Sequence, residues 1–478
     1  MVKTPGRRLA LARRALGCAA LLLASGQAAA ATFDASTLSL AWAVPFVAIL
    51  LAIALGPLLF ANFWHNHFGK VSAACALAFL VPFAVLFGPG QALTTVLHTM
   101  VAEYVPFIIL LTALFTVTGG IHIKGNLHGT PLVNTGILAA GAGMASVMGT
   151  TGASMLLIRP LLRANDARRH KVHVVVFFIF LVSNIGGSLT PLGDPPLFLG
   201  FLKGVDFFWT TKHMFAPMLV STVVLLVLFF ALDSWYFSRK EEQLEYDPTP
   251  DSPLRLEGLV NLLVFGPLII LAVLVSGIWK PGVEFNVFGT PVPSQGLARD
   301  VALIVLIGLS LRFTPKAIRQ ANHFEWGPMK EVAKLFAGIF VTIVPVLAIL
   351  NAGSKGALAP LVALVTTDAG QPDSVMYFWL TGALSSFLDN APTYLVFFNL
   401  AGGDAQVLMH TLTTTLVAIS AGAVFMGANT YIGNAPNFMV KAVAESRGVK
   451  MPSFFGYMLW SGGILLPLFV LLTVLFFR

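Results

Sequence analysis

Apolar runs long enough, or nearly long enough, to cross a bilayer recur along the chain at 38–60, 71–88, 103–121, 172–190, 213–237, 258–279, 300–313, 331–351, 410–430 and 453–477. A helix needs about 20 apolar residues to match the roughly 30 Å hydrocarbon layer, so this pattern leaves little room for any fold that lives in water. Composition agrees. Only 10% of the 478 residues are charged and 57% are hydrophobic, against about a quarter charged in a typical soluble domain. The expected fold is an all-α polytopic membrane protein with about 10 spanning helices plus an N-terminal signal-like segment. Its 43 Gly and 28 Pro suit membrane helices that are deliberately broken.

Two stretches are apolar but interrupted. Residues 132–163 carry Gly149-Thr150-Thr151-Gly152 at their centre, and residues 374–400 carry Asp389-Asn390-Ala391-Pro392. Both read as re-entrant hairpins, because non-helical backbone at membrane depth is tolerated only where protein or a watery cavity surrounds it.

Residues 1–31 have the layout of a secretory signal peptide: a basic stretch (Lys3, Arg7, Arg8, Arg13, Arg14), an apolar stretch from Leu16 to Ala24, and small residues from Ala28 to Ala31. An uncleaved short first helix is the alternative. Either way the following chain is expected to begin outside the cytoplasm, and a bacterial inner membrane is the expected destination of this multi-pass chain.

The formal charge of +8 is spread over short loops. It therefore acts as a topology signal and not as a nucleic-acid face. The loop after the first hairpin holds Arg159, Arg163, Arg168, Arg169 and Lys171, whereas Asn399 to Leu408, after the second, holds no Lys or Arg. By the positive-inside rule the first hairpin opens to the cytoplasm and the second to the other side. Loops 312–334 and 441–450 are also basic. Residues 238–257 are the one long polar stretch in the middle and read as a cytoplasmic linker.

The linker divides a first half, 32–237, from a second half, 258–478. Gly187 to Pro196 aligns without gaps on Gly427 to Pro436, with four identities and one Asp/Asn pair, Asp194 and Asn434. A helix, a hairpin and a broken helix thus occur twice: hairpin 132–163 with broken helix 172–196, and hairpin 374–400 with broken helix 410–436. Glu103 and Glu331 open the helices before the two hairpins. Two oppositely oriented repeats with broken helices are the architecture of secondary transporters, whose sites lie where the breaks meet.

Ionisable groups at membrane depth are costly, roughly 2.5–3.5 kcal/mol for Asp at a helix centre on insertion scales, and mark function by default. Asp389 in the second hairpin and Asp194 beside Pro195-Pro196 are the two such acids, and Asn434 offers a neutral oxygen at the matching break. These three form the candidate set for a transiently bound, transported sodium ion. The structural alternative for Asp389 is a cap on the hairpin's second helix. Prolines 195 and 196 are expected to end the first broken helix. Thr150, Thr151 and Ser154 in the first hairpin, Asn390 and Thr393 in the second, and Asn184, Thr190, Asn429 and Thr430 at the breaks complete a polar set converging on two related points.

One carboxylate that takes either a proton or a sodium ion suffices for antiport, and no cofactor is needed beyond these coupling ions. The sequence has no HExxH, Walker loop or CxxC, and Ser154 and Ser188 have no His at membrane depth beside them. An enzyme, including a membrane-embedded hydrolase, is therefore not expected. Cys18 and Cys75 give no disulfide framework. His65, His67, His122, His128, His170 and His173 are expected in cytoplasmic loops as ordinary interfacial residues, with pH sensing as the alternative.

Ser385-Ser386-Phe387-Leu388-Asp389-Asn390-Ala391-Pro392, and Ser183-Asn184-Ile185-Gly186-Gly187 leading into Gly193-Asp194-Pro195-Pro196, resemble the ion transporter superfamily of NhaD-type sodium/proton antiporters, arsenite permeases and citrate or dicarboxylate carriers. The resemblance implies a homodimer with a scaffold domain and a mobile transport domain that carries both hairpins. The first hairpin tip departs from the NhaD-type pattern, being hydroxyl-rich where acids are usual, and in this it is closer to the carboxylate carriers.

The leading expectation is a sodium or lithium/proton antiporter using Asp389 and Asp194. The runner-up is a cation-coupled transporter of citrate, a dicarboxylate or arsenite, with Thr151, Ser154 and Thr393 on the substrate. The expected partners are these ions, membrane lipid and, in the runner-up, a small carboxylate; nucleic acid is not among them.

Overall fold

The computed structural model describes residues 38–239 and 252–478. The signal-like leader 1–31 and most of the expected linker, residues 240–251, lie outside the described residues. The fold is predominantly helical. Among the described residues, eight helices are long and apolar enough to cross a membrane: Leu40–Pro57, Ala61–Phe87, Pro89–Thr118, Pro131–Met148, Phe207–Phe237, Asn261–Ile278, Gly327–Asn351 and Phe454–Phe477. Their outward apolar side chains, among them Val85, Val227, Ile278 and Leu459, are exposed in the isolated chain and read as lipid-facing.

Seven of the ten expected runs are among these, the eighth helix is the first arm of the hairpin 132–163, and the runs 172–190, 300–313 and 410–430 are absent for physical reasons. The apolar runs 172–190 and 410–430 hold helices only over Val172–Leu181 and Thr413–Met426, about 15 and 21 Å long at 1.5 Å per residue. Neither spans. Both are apolar all round and buried on every side, which places them among other helices instead of against lipid. The run 300–313 belongs to the longer helix Ser294–Phe313, whose first turns carry Gln295, Arg299 and Asp300.

Both hairpins form. In the first, Thr130 caps Pro131–Met148 by accepting from the Val133 amide at 3.3 Å. The chain then turns at Gly149, whose φ of +84° favours glycine, into Thr150–Ala164. In the second, Asp373 accepts from the amides of Val375 and Met376 to cap Ser374–Phe387. Two extended residues follow before Asn390–Leu400. The helices Ser374–Phe387 and Thr413–Met426 approach closely through small residues: a Cβ on Gly422 would lie 2.6 Å from the Phe378 carbonyl oxygen.

The broken helices differ from expectation in one respect. Pro195 and Pro196 do not end a helix; they open Pro195–Leu202, and Pro436 likewise lies in the first turn of Ala435–Ser446. The first-turn amides of a helix have no intrahelical partner, so proline costs nothing there and its fixed φ suits the start. The second half-helices therefore run past 196 and 436.

The last residues of the expected linker form a strand. Ser252–Glu257 (β2) pairs antiparallel with His122–Asn126 (β1), so the end of the expected linker is ordered against the first half. Arg163, at the base of the first hairpin, donates to the Ile123 carbonyl at 2.8 Å. A second pair, Glu284–Val287 (β3) and Thr290–Pro293 (β4), turns through Phe288 and Gly289. Both have positive φ, as a two-residue hairpin turn of this hand requires.

The histidines do not all lie in loops. His65 and His67 are within the helix Ala61–Phe87. His173 is buried, and its Nε2 lies 2.7 Å from Asp233 Oδ1. Arg168 reaches the same carboxylate at 2.6 Å, and Asn134 donates to its other oxygen at 3.0 Å. This buried knot joins both arms of the first hairpin at their base to the starts and ends of neighbouring helices. A buried charge persists only when paired in this way.

Candidate functional site

The two breaks are built alike. The residue before each second half-helix has nearly the same backbone, φ −144° and ψ 144° at Asp194, φ −151° and ψ 141° at Asn434. Neither side chain caps the helix that follows it, so both are free to reach sideways. Hydrogen bonds repeat at the same spacing. Thr190 Oγ1 donates to the Ser146 carbonyl at 2.5 Å and Thr430 Oγ1 donates to the Ser386 carbonyl. The amides of Leu192 and Ile432 donate back to those threonine hydroxyls at 3.1 and 3.2 Å. Each break is thereby tied to the hairpin of its own half.

Asp194 is the point where these elements meet. Its side chain is buried. Oδ1 accepts from Thr150 Oγ1 at 2.7 Å, at the tip of the first hairpin, and from Asn434 Nδ2 at 3.2 Å, in the second break. Oδ2 accepts from Asn390 Nδ2, at the tip of the second hairpin. Three neutral donors from three different elements thus satisfy one carboxylate, and among the described residues no Lys or Arg pairs with it. The Thr150 amide also donates to the Gly193 carbonyl at 2.8 Å, holding the tip against the break.

A second layer joins the breaks to each other. Asn434 Nδ2 also lies 3.1 Å from the Ser183 carbonyl and 3.3 Å from Asn184 Oδ1. Asn184 Nδ2 donates to Asn437 Oδ1 at 2.7 Å. Asn437 Nδ2 in turn donates to the carbonyls of Gly427 and Thr430 at 2.8 and 2.9 Å. Asn390 Oδ1 is buried without a hydrogen-bond partner, leaving an acceptor oxygen beside Asp194.

The remaining residues singled out from the sequence lie around this centre. Asp389 caps the second hairpin helix, its Oδ1 accepting from the Ala391 amide at 3.1 Å, and makes no hydrogen bond to Asp194 or Asn434. Thr393 bonds back to the Asp389 carbonyl at 3.0 Å. Ser154 pairs with Ser183 at 2.8 Å. Asn429 Nδ2 donates to Ser386 Oγ at 2.9 Å, and its Oδ1 is buried without a partner. Thr151 lines a cavity of about 70 Å³ that also touches Thr150, Gly193 and Asp194. A neighbouring cavity of about 120 Å³ holds Thr151 on one side and Asn322 to Glu325 on the other. A third, larger cavity of about 280 Å³ lies apart from Asp194, between Phe201 to Asp206 and the start of the helix Ser294–Phe313.

A family model described as "Putative citrate transport" matches residues 35–477. The chain belongs to this family. It is similar to a "46 kDa membrane protein" of Mycobacterium leprae, 23% identical over 340 residues, covering 68% of this chain and 72% of that one. An "Uncharacterized transporter" of Mycobacterium tuberculosis is 23% identical over 339 residues, with the same coverage. Membership in the citrate-transport family, with eight membrane-length helices, makes the protein a multi-pass membrane transporter and not an enzyme. It also fits the ion transporter superfamily that the hairpin and break motifs resemble.

Asn437 carries more of this geometry than the sequence suggested. Asn437 had a signal of its own, a polar residue in the first turn of a half-helix otherwise entering an apolar core.

Proposed function

We propose that this transporter couples its cargo to a monovalent cation, most simply by exchanging sodium or lithium for protons, with Asp194 as the carboxylate that changes partners. The observation that supports this is the clasp itself. A single buried acid is held by three neutral donors, with an unpartnered amide oxygen, Asn390 Oδ1, beside it. A carboxylate so placed accepts a proton, or binds a small cation with help from neutral oxygens such as those of Thr150 and Asn390 once their amide and hydroxyl groups turn. One charge matches one monovalent ion; a divalent ion would leave excess charge at low dielectric. Asp389 joins as a second acid, near enough in the sequence of the tip to exchange protons when the hairpin moves.

Family membership supports a second reading, uptake of citrate or another small carboxylate driven by the same cation. In that case Asp194, Asp389 and Asn434 hold the coupling ion and the hairpin tips hold the anion through hydroxyls and helix N-termini. Mycobacterial relatives support a place in a bacterial inner membrane, and the superfamily resemblance supports a homodimer.

The test is flux in proteoliposomes or everted vesicles carrying a pH-sensitive dye. Sodium-dependent proton movement without citrate, lost in Asp194→Asn, supports exchange. Citrate uptake that requires sodium, with no proton movement on sodium alone, selects the second reading. Neither flux in the wild-type chain sinks both.

A further inference from the structure

The two smaller cavities adjoin. They share Phe115, Thr151, Gly152 and Pro328. One ends at Asp194; the other ends at His323 and Glu325, which are exposed, in a loop flanked by Arg319 and Lys330 and therefore on the cytoplasmic side by its charge. The large cavity at Phe201 to Asp206 shares no residue with either. From these relations we infer that the two adjoining cavities are the cytoplasmic route to Asp194, and that Thr151 is the hydroxyl the permeating ion passes at its midpoint. The inference rests on the proposed role of Asp194 for its purpose, but not for its geometry.

The two walls of the route differ in kind. One is fixed. Asn322 Nδ2 donates to the carbonyls of Gly119 and Ile121 at 3.0 and 2.5 Å, and its Oδ1 lies 2.9 Å from His122 Nδ1. Phe324 fills the space where a Gly119 side chain would stand, 2.3 Å from that Cβ position. It packs on Phe115 with ring centres 5.1 Å apart, and the Arg319 guanidinium lies 4.7 Å above it. These bonds hold His323 at a φ of +50°, unusual for a residue with a side chain. The other wall is the second arm of the first hairpin, presenting Thr151, Gly152, Met155 and Leu156. The hairpin arm packs closely on the end of the helix Val105–Thr118 at Gly152, where a Cβ would sit 2.8 Å from Thr118 Oγ1. The route is thus a seam between a bolted loop and the hairpin whose tip holds Asp194. Movement of that hairpin opens or shuts it.

Thr150 and Thr151 divide the work. Thr150 Oγ1 is committed to Asp194, while Thr151, next along the helix, faces the seam in both cavities. A hydroxyl serves there because it offers an oxygen to a passing cation or water without a charge that would trap it.

Cysteine accessibility tests the route without reference to the cargo. In the full chain with Cys18→Ser and Cys75→Ser, single substitutions Thr151→Cys, Met155→Cys and His323→Cys are made, with Ser276→Cys in the large cavity as a control for the opposite side. A membrane-impermeant maleimide is applied to everted and to right-side-out vesicles. The expected result is that all three route positions react in everted vesicles and are protected in right-side-out ones, with labelling at least about tenfold faster from the cytoplasmic side. Ser276→Cys reacts the other way round. If His323→Cys reacts from the cytoplasm while Thr151→Cys and Met155→Cys do not, the seam is closed to water and the inference is wrong. Reaction of Thr151→Cys from the outer side alone also overturns it. Should Thr151→Cys fail to fold, Met155→Cys, which makes no polar bond, carries the same decision. Cytoplasmic labelling together with unchanged flux in Asp194→Asn would leave the route standing and remove the ion-binding role.

Discussion

Thr150 and Asn390 grip opposite oxygens of one carboxylate: Thr150 Oγ1 donates to Asp194 Oδ1 and Asn390 Nδ2 to Asp194 Oδ2. The two residues stand at the start of the second helix of their respective hairpins. The tips of both hairpins are therefore fastened to the same acid, and whatever changes the charge of that acid acts on both.

Hydrogen bonds to a charged partner contribute about 1.5–3 kcal/mol each. Thr150→Ala and Asn390→Ala each remove, besides that bond, a neutral oxygen proposed to turn toward the cation, and the lost ligand is expected to outweigh the lost donor, raising the half-saturating sodium concentration by about tenfold. Proteoliposome flux against sodium concentration checks this. Thr151→Ala, by contrast, leaves the clasp intact and is expected to change the rate of transport more than its half-saturation.

Asp194 and Asn434 share one backbone conformation. Exchanging them, as Asp194→Asn with Asn434→Asp, moves the charge to the other break while keeping one acid and one amide. The double variant is expected to retain measurable sodium-dependent flux where Asp194→Asn alone has none. Equal inactivity of the two, in protein that remains monodisperse, would show that the charge must sit on the first break.

The knot of Asp233 with Arg168 and His173 is buried on all three members. Removing one partner of a buried pair leaves an uncompensated charge and costs about 3–5 kcal/mol. Asp233→Ala is expected to lower the melting temperature in detergent by several degrees or to prevent accumulation of folded protein. Fluorescence-detected chromatography after heating measures this. Lys441→Ala, which removes a solvent-accessible i,i+4 pair with Glu445 and a contact 5.5 Å above the Tyr431 ring, is expected to shift it little.

Gly193 and Gly433 have no room for a side chain. A Cβ on Gly193 would lie 2.1 Å from the Gly187 carbonyl oxygen, and one on Gly433 2.5 Å from that of Gly427. Backbone cannot step aside as a side chain can. Gly193→Ala is expected to displace Asp194 and abolish flux, whereas Gly136→Ala, with open space around it, is expected to be silent.

The breaks were legible because they violate the pattern around them. Asp194, Asn434 and their flanking prolines interrupt apolar runs, and such interruptions show in a single sequence. What the prolines do was misjudged, since a proline at a break serves equally as the end of one helix and the start of the next; only the backbone decides. Asp389 stood out by its charge, yet its bond is to the Ala391 amide, while the neighbouring Asn390 reaches Asp194. Adjacent residues at a helix start point in different directions, and spacing alone cannot say which faces inward. The Asp233 knot was illegible for another reason: Asn134 and Asp233 lie 99 positions apart, and Asp233 ends an apolar helix where an ordinary interfacial acid is expected.

The bridge between the two breaks is made of amides: Asn434 to Asn184, Asn184 to Asn437, and Asn437 back to its own break. Amides do not gain or lose protons in any pH range a cell meets. The joint that keeps the two halves in register is thus blind to acidity, while the carboxylate it surrounds is not. A membrane potential or pH gradient can then act on the load without loosening the hinge pin that carries it.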